Sequence, residues 1–483
     1  MAAIRFLLGN EPRTITGLPV TTTVLDYLRQ HERLTGTKEG CAEGDCGACT
    51  VVIAGPDGAG GLEHRSVNAC IQFIGSLHGR QLVTVEHLRQ ADGSLHPVQQ
   101  AMVDHHGSQC GFCTPGFVMS LYAAWRMQAV ANRQELKDWL SGNLCRCTGY
   151  GPILDAGEAA LKAPAGGDDT GAVLARLEAL DDGSMLEMTH GNQSWFSPRS
   201  AGELAELYAA HSDAILVAGA TDVGLWVTKQ HRHLATLIDV SRVAELAAIE
   251  KAGETVTFGA TASLRAATAA LAGLHADLGE MMRRFASIPI RNAGTVGGNV
   301  ANGSPIGDLP PALIALGATL TLRRGEDRRT LPLEDYFIAY GKQDRAPGEF
   351  VESLSVEKPA ADDVFSCTKI SKRFDQDISA VLAAIRLRIK AGQVADARIA
   401  FGGMAATPKR ARQAEAALIG QSWTEANVEA ACAALDEDFT PIDDMRASAA
   451  YRMKVAQNCL RRFWHEHGAA DGEATRVLEL ANG

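Results

Sequence analysis

Eight of the eleven cysteines in this 483-residue chain fall into two tight groups, and thiols so grouped are built to hold metal. Cys41, Cys46 and Cys49 have four and then two residues between them, on a loop of small residues that includes Gly44 and Gly47. Cys70 follows at a distance. This is the ligand spacing of a plant-type [2Fe–2S] cluster, whose loop turns thiolates and backbone N–H groups inward and so excludes bulk. Buried apolar cysteines, or a zinc knuckle on Cys46 and Cys49, are the alternatives, although zinc sites usually pair two short Cys-x-x-Cys units.

The second group is Cys110-Gly111-Phe112-Cys113 with Cys145-Arg146-Cys147. The first pair precedes Thr114-Pro115-Gly116 and an apolar helix predicted over 117–130. The second follows a helix around Leu136, Trp139 and Leu140 that breaks at Gly142-Asn143. Both pairs stand at helix ends, where backbone N–H dipoles stabilise negative charge. Four thiols in this pattern suit zinc or a second [2Fe–2S] cluster, and a Cys-x-Cys half, uncommon for zinc, favours the cluster. Cys367, Cys432 and Cys459 read as packing residues.

The elements that must position these thiols are short. Residues 4–8 form a strand that turns at Gly9-Asn10, and Thr23 caps a helix through Val24, Leu25, Leu28 and Arg29. The β-branched run 50–53 ends at the turn Pro56-Asp57-Gly58, and 82–85 reads as another strand. Short strands around one helix predict a small ferredoxin-like α+β unit. A small, polar, helix-breaking stretch at 163–169 starts a linker, and the segment to about Thr189 carries a weak helical pattern.

Beyond Trp195 helices and strands alternate. The apolar run 215–218 meets the small-residue turn Gly219-Ala220-Thr221-Asp222, and a second such turn lies in 291–299, followed by 302–308. Turns of this kind let backbone N–H groups approach phosphate, but many are built for packing alone. There is no Gly-x-Gly-x-x-Gly fingerprint, so a Rossmann fold is not indicated.

Length predicts three or four domains. Apolar residues make up 46% and charged residues 21%, with a formal net charge of −11. That balance argues for globular cores and against nucleic-acid or anionic-membrane partners. No apolar run approaches a membrane span, the N-terminus turns polar too soon for a secretion signal, and ligand-like thiols imply a reducing, cytoplasmic setting.

Three motifs then carry a resemblance: 41–50, Gln109–116 with its Cys-Gly-Phe-Cys-Thr-Pro-Gly, and 142–150 with Asn-Leu-Cys-Arg-Cys-Thr-Gly-Tyr. Together they resemble the molybdenum hydroxylase family, and the resemblance covers nearly all of the first 155 residues. The resemblance implies a multidomain α+β chain. Its parts would be a ferredoxin-like β-grasp [2Fe–2S] domain (1–86), a helical [2Fe–2S] domain (87–162), a linker (163–190), a two-lobed vanillyl-alcohol-type FAD domain (191–362) and an α+β C-terminal cap (363–483). It assigns Cys41, Cys46, Cys49 and Cys70 to one cluster and Cys110, Cys113, Cys145 and Cys147 to the other, with no catalytic acid or base.

By similarity to the family's FAD domain, Leu216, Val217, Ala218, Gly219, Ala220, Thr221, Asp222 and Val223 would line the pyrophosphate. Thr295, Val296, Gly297, Gly298 and Asn299 would form a second phosphate loop, and Asp308 would meet sugar or ribityl hydroxyls. Phe285 would pack by adenine or flavin, Val351 and Lys369 match further contacts, and Tyr340 matches an aromatic position near the flavin. The charged run 369–377 matches a loop that borders the flavin and influences NAD access, or is simply a solvated segment. Ala220 stands where the family often has glycine; a left-handed backbone there would cost about 1 kcal/mol.

The implied function is electron transfer from purine hydroxylation, hypoxanthine to xanthine to urate, on a separate molybdenum-cofactor subunit, through both clusters and FAD to NAD. The implied assembly is a heterodimer or a dimer of heterodimers. Two rivals stay open: the equivalent subunit of an aldehyde- or N-heterocycle-oxidising relative, and a zinc-stabilised interaction protein without redox function.

Overall fold

Strand Ile4–Leu8 buries Ile4, Phe6 and Leu8 and pairs antiparallel with Glu11–Ile15 across the Gly9-Asn10 turn. The computed structural model describes residues 3–90, 92–164, 170–468 and Thr475. Tertiary contacts divide the chain into two compact units. One holds Met1–Glu245 with Ser263–Arg265 and Ala286–Thr295; the other holds Leu246–Ala262, Ala266–Phe285 and Val296–Gly483.

In the first unit a five-stranded sheet runs in the order Glu11–Ile15, Ile4–Leu8, Gln81–Val83, Thr50–Pro56, Leu62–Asn68, with only the Ile4–Leu8/Gln81–Val83 pair parallel. Thr23 caps the helix Val24–Asp26 by accepting from the Asp26 N–H at 3.0 Å, and the chain continues as a π-turn over Tyr27–His31. The predicted strand at 82–85 is shorter than expected. It stops at Val83 because Thr84 caps a 3₁₀ turn, Val85–Leu88, donating to Glu86 and bonding the His87 ring.

Four helices follow, Pro97–Asp104, Thr114–Met127, Arg133–Leu140 and Gly151–Leu161. Helix Thr114–Met127 begins earlier and ends earlier than the predicted 117–130. Pro115 suits a first turn, and Gln128, at φ 46°, closes the last one left-handed. It is buried almost all round, with Phe117, Leu121 and Ala124 at the centre of the helical core.

Of the linker stretch, Ala165–Asp169 lies outside the described residues, and helix Thr170–Leu180 packs Val173 and Leu177 on Leu7. A sheet in the order Leu186–His190, Gln193–Ser197, Thr236–Asp239, Ile215–Val217 completes this unit; its last two pairings are parallel.

The second unit contains an antiparallel sheet in the order Ile249–Ala252, Thr255–Gly259, Phe350–Glu357, Thr319–Arg324, Asp327–Pro332. It also contains an antiparallel sheet of Asp363–Ile370, Val381–Lys390, Gln393–Gly402 and Lys409–Arg410. Helices Arg412–Leu418, Glu425–Asp438 and Ala449–His467 build a common core with that second sheet around Phe401, Leu435, Leu460 and Phe463. Arg452, 1% exposed, donates to the carbonyls of Ala380 and Gly403 and pairs with Asp444 at 2.7 Å, tying the last helix to the strand ends. Among the described residues no helix is long and apolar enough to cross a membrane.

Candidate cofactor sites

The loop between the π-turn and strand Thr50–Pro56 carries three thiols, and Cys70, just past strand Leu62–Asn68, joins them. Cys41 meets Cys46 and Cys70, and Cys70 meets Cys49. The Cys46 N–H donates to Cys41 Sγ at 3.3 Å, and Asn68 Nδ2 lies 4.0 Å from Cys49 Sγ. Contact with Cys46 and Cys70 pulls the Cys41 thiol far down, while contact with Cys41 and Cys49 pushes Cys70 far up. Such a set shares its protons unevenly and is suited to exchange them for metal. Gly44 and Gly47 take φ of 79° and 69°, as a loop that turns its backbone inward requires. Four thiols in pairwise contact, with backbone N–H groups beside them, fit the wider core of a [2Fe–2S] cluster.

The second set also converges. Cys110 meets Cys147, and Cys113 meets Cys145. Burial, then contact with Cys145, pushes Cys113 up to about 12. Cys113 precedes the first residue of helix Thr114–Met127, so its sulfur stands at that helix's positive end. The Cys145 N–H donates to the Tyr150 hydroxyl at 3.0 Å, and Thr148 Oγ1 lies 3.2 Å from Cys145 Sγ. Cys110 and Cys147 are exposed.

The two thiol loops are joined by a residue that spacing alone did not mark. Asn143 is 2% exposed; its Nδ2 donates to the Gly47 carbonyl at 3.1 Å, and its Oδ1 accepts from Ser120 at 2.6 Å. The Leu144 N–H donates to the Cys46 carbonyl at 3.0 Å. A Cβ on Gly47 would stand 2.1 Å from the Gly142 carbonyl oxygen, and one on Gly116 2.1 Å from that of Gly47, so backbone meets backbone here. The other three thiols are buried and unreactive: burial pushes Cys432 up to about 11, Cys459 up to about 12 and Cys367 well above its ordinary value.

The residues assigned to the flavin divide between the two units. In the first, strand Ile215–Val217 feeds the turn Ala218 to Asp222, which opens helix Val223–Thr228. Gly219 packs so closely on the Ala293 carbonyl that a Cβ would stand 1.8 Å from its oxygen, and Gln72 donates to the Gly219 carbonyl at 2.7 Å. Ala220 has φ 54°, so alanine does occupy the left-handed conformation, at a cost of about 1 kcal/mol. Thr295 is buried and bridges to Ser263.

In the second unit, helix Val296–Ala301 is anchored by Val296 N to Ala262 O and Gly297 N to Ala260 O, both at 2.9 Å. Gly298 is exposed, and Asn299 Oδ1 is buried without a hydrogen-bond partner, an acceptor awaiting a donor. Val351 lies buried in strand Phe350–Glu357, and Phe285 is half-buried at the end of helix Ala276–Arg284. Tyr340 is 76% exposed.

Asp308 and Lys369 are buried together. Lys369 Nζ donates to Asp308 Oδ2 at 2.6 Å, and Ser379 Oγ, which also accepts from Lys369 at 2.8 Å, donates to Oδ1 at 2.6 Å. Both oxygens expected to meet hydroxyls therefore already have protein partners, and Ser379 is a third member that no sequence signal announced. Lys369 does not belong with the solvated run that follows it. That run is clamped: Arg284 donates to the carbonyls of Lys369 and Phe374, each at 2.9 Å, and Arg283 and Arg284 stack on the Phe374 ring. Each unit suits part of FAD in chemistry: a small-residue turn for phosphate in the first, and a small-residue turn, an orphan acceptor and a rigid polar anchor in the second.

Four known domains match along the chain. Residues 7–73 match the 2Fe-2S iron-sulfur cluster binding domain and 84–158 the [2Fe-2S] binding domain. Residues 187–359 match the FAD binding domain in molybdopterin dehydrogenase, and 366–467 the CO dehydrogenase flavoprotein C-terminal domain. The chain is 36% identical over 461 residues to xanthine dehydrogenase of Drosophila subobscura, covering 83% of this chain and 34% of that protein. It is 30% identical over 505 residues to aldehyde oxidase 2 of Macaca fascicularis, covering 92% and 37%. A solved carbon monoxide dehydrogenase from Hydrogenophaga pseudoflava superposes with a TM-score of 0.53 at 29% identity, covering 57% of this chain and 96% of that one. The chain thus spans about a third of the length of the curated relatives it matches. Thiol sets, flavin turns and matched domains lead to one conclusion: the chain belongs to the molybdenum hydroxylase family, as an iron–sulfur and FAD-binding electron-transfer module.

Proposed function

We propose that this module serves a xanthine dehydrogenase, accepting electrons from purine hydroxylation on a separate molybdenum-cofactor subunit and delivering them to NAD in the cytoplasm. The observation that carries the reading is the joint presence, in one chain, of both thiol sets and both flavin turns, at 36% identity to a xanthine dehydrogenase. Two [2Fe–2S] clusters, one on Cys41, Cys46, Cys49 and Cys70 and one on Cys110, Cys113, Cys145 and Cys147, would supply one-electron steps, and FAD the change to two-electron hydride chemistry. The chain's residues position and tune these groups. The boundaries 1–86, 87–162, 163–190, 191–362 and 363–483 belong to the same proposal, as does assembly into a heterodimer or a dimer of heterodimers.

The test uses the holo-chain with and without its partner. Alone, it should pass electrons from NADH to an artificial dye and leave hypoxanthine and xanthine untouched; with the partner, xanthine should reduce NAD. Purine hydroxylation by this chain in the absence of a second polypeptide would overturn the division of labour. The 30% identity to an aldehyde oxidase supports a second reading, the same module beside an aldehyde-oxidising partner. Substrate-dependent NAD reduction by the native complex, with aldehyde active and xanthine inert, would select it.

Flavin binding should fail at a single exposed position. Gly298→Val places a branched side chain where the proposed phosphate loop presents its backbone, and exposure of the site keeps the folding cost small. Purified protein should lose its FAD while keeping the iron–sulfur absorption. Full flavin occupancy in this variant would remove the second phosphate loop.

A further inference from the structure

Away from the thiols and the flavin turns, the first unit contains a cavity of about 560 Å³ bounded by helix Thr170–Leu180, the turn at His78 to Arg80 and the strand ends near Gly55. Four guanidinium groups line it, those of Arg65, Arg80, Arg199 and Arg242. Three carboxylates, Glu63, Glu178 and Asp181, line it with them. Asp181 accepts from both Arg199, at 2.8 Å, and Arg242, and Glu63 lies 3.6 Å from Arg65. Arg80 has no carboxylate within ion-pair distance among the described residues; its one hydrogen bond is a long one, 3.5 Å, to Ser241 Oγ. Arg242, with a side chain 8% exposed, keeps Nη1 buried and without a hydrogen-bond partner.

Both groups line the same cavity. Arg242 Nη2 lies 3.3 Å from where a Cβ on Gly79 would stand, beside Arg80, and Arg80 reaches the residue before Arg242. Burial, and then the like charge of Arg65, draws the Arg80 guanidinium down to about 10, still cationic at neutral pH. Asp239, buried nearby, attracts Arg80 through space and accepts from Ser241 N at 2.9 Å and Ser197 Oγ at 3.1 Å. A guanidinium nitrogen without a hydrogen-bond partner and a guanidinium without an ion pair, on the wall of one cavity, are donors that a tetrahedral oxyanion satisfies.

We propose that this cavity is a second ligand site, which takes a small molecule bearing a phosphate monoester and holds the phosphate between Arg80 and Arg242. The volume exceeds the need of a bare phosphate and falls within the range of about 300–1,000 Å³ common for small-molecule sites. Leu174 and Leu177 supply an apolar wall for the rest of the molecule. The ligand would join the connector helix to the iron–sulfur domain, and so would stabilise this unit by mass action.

Isothermal titration of the FAD- and cluster-loaded protein with inorganic phosphate and with adenosine 5′-monophosphate tests the site. Both should bind, the nucleotide at least about tenfold tighter, and affinity should fall as salt is added. Arg80→Gln, which breaks no ion pair at contact distance, should weaken both by about tenfold or more with the visible spectrum unchanged. Arg242→Gln should do the same. No binding heat up to about 10 mM, or wild-type affinity in Arg80→Gln, would overturn the site. A nucleotide that binds no better than inorganic phosphate would overturn the monoester assignment.

Discussion

Cys46→Ser removes one of the two electron paramagnetic resonance signals expected of the reduced protein and leaves the other. Cys46 sits in the thiol set closed by its contact with Cys41, on a loop whose backbone N–H groups face those sulfurs. Serine offers a harder, far more basic oxygen that matches iron–sulfur chemistry poorly, so the cluster on that loop should not assemble. Bound iron should fall from about four to about two atoms per chain. Cys113→Ser should produce the reciprocal spectrum, because Cys113 meets Cys145 in the other set. Circular dichroism would establish that each variant is folded. Loss of both signals from either variant, in a folded chain, would show that the eight thiols do not form two independent sites.

Lys369→Met should destabilise the chain by about 3–5 kcal/mol, because it leaves the Asp308 carboxylate buried with its charge uncompensated. Lysine and aspartate side chains are 2% and 4% exposed at this pair, so water cannot take over the missing role. Ser379 would still donate to Asp308, and one neutral donor replaces little of what the ammonium supplied. Urea denaturation of the holo-protein reads the shift in midpoint. The double variant Asp308→Leu with Lys369→Met should recover much of the loss, since it removes the stranded charge along with its partner. A single variant as stable as the wild type would show that the pair is not a structural anchor.

The thiol groups were legible in the sequence because ligand spacing is local. So were most strands of the first sheet, whose β-branched and apolar runs match their burial, and the end of helix Arg133–Leu140 before Gly142-Asn143. What escaped depends on residues far apart in the chain. Asn143 looks like an ordinary helix-terminal asparagine, and only the fold shows that its amide reaches Gly47. Ser379 sits ahead of an apolar strand with no pattern to tie it to Asp308, and Lys369 reads as one more charge in a polar run until the strand Asp363–Ile370 carries it inward. Thr84 continues a β-like run, and its side chain, bonding Glu86 and His87, overrides that propensity and ends the strand. The four arginines of the cavity likewise came from four separate segments and left no mark on a net charge of −11.

The contact among Gly47, Gly116, Gly142 and Asn143 bears on how this chain can be recombined with its relatives. Two domains whose backbones meet at this point, with no room for a methyl group on either side, cannot be exchanged singly as beads on a string. A chimera taking the helical domain from elsewhere would have to import a matching asparagine and bare backbone, or the foreign Cβ would wedge the loops of Cys46 and Cys145 apart. Inheritance therefore acts on the thiol-bearing domains as an indivisible cassette. The segment joining them, carrying no part of that contact, is where insertions and deletions should accumulate.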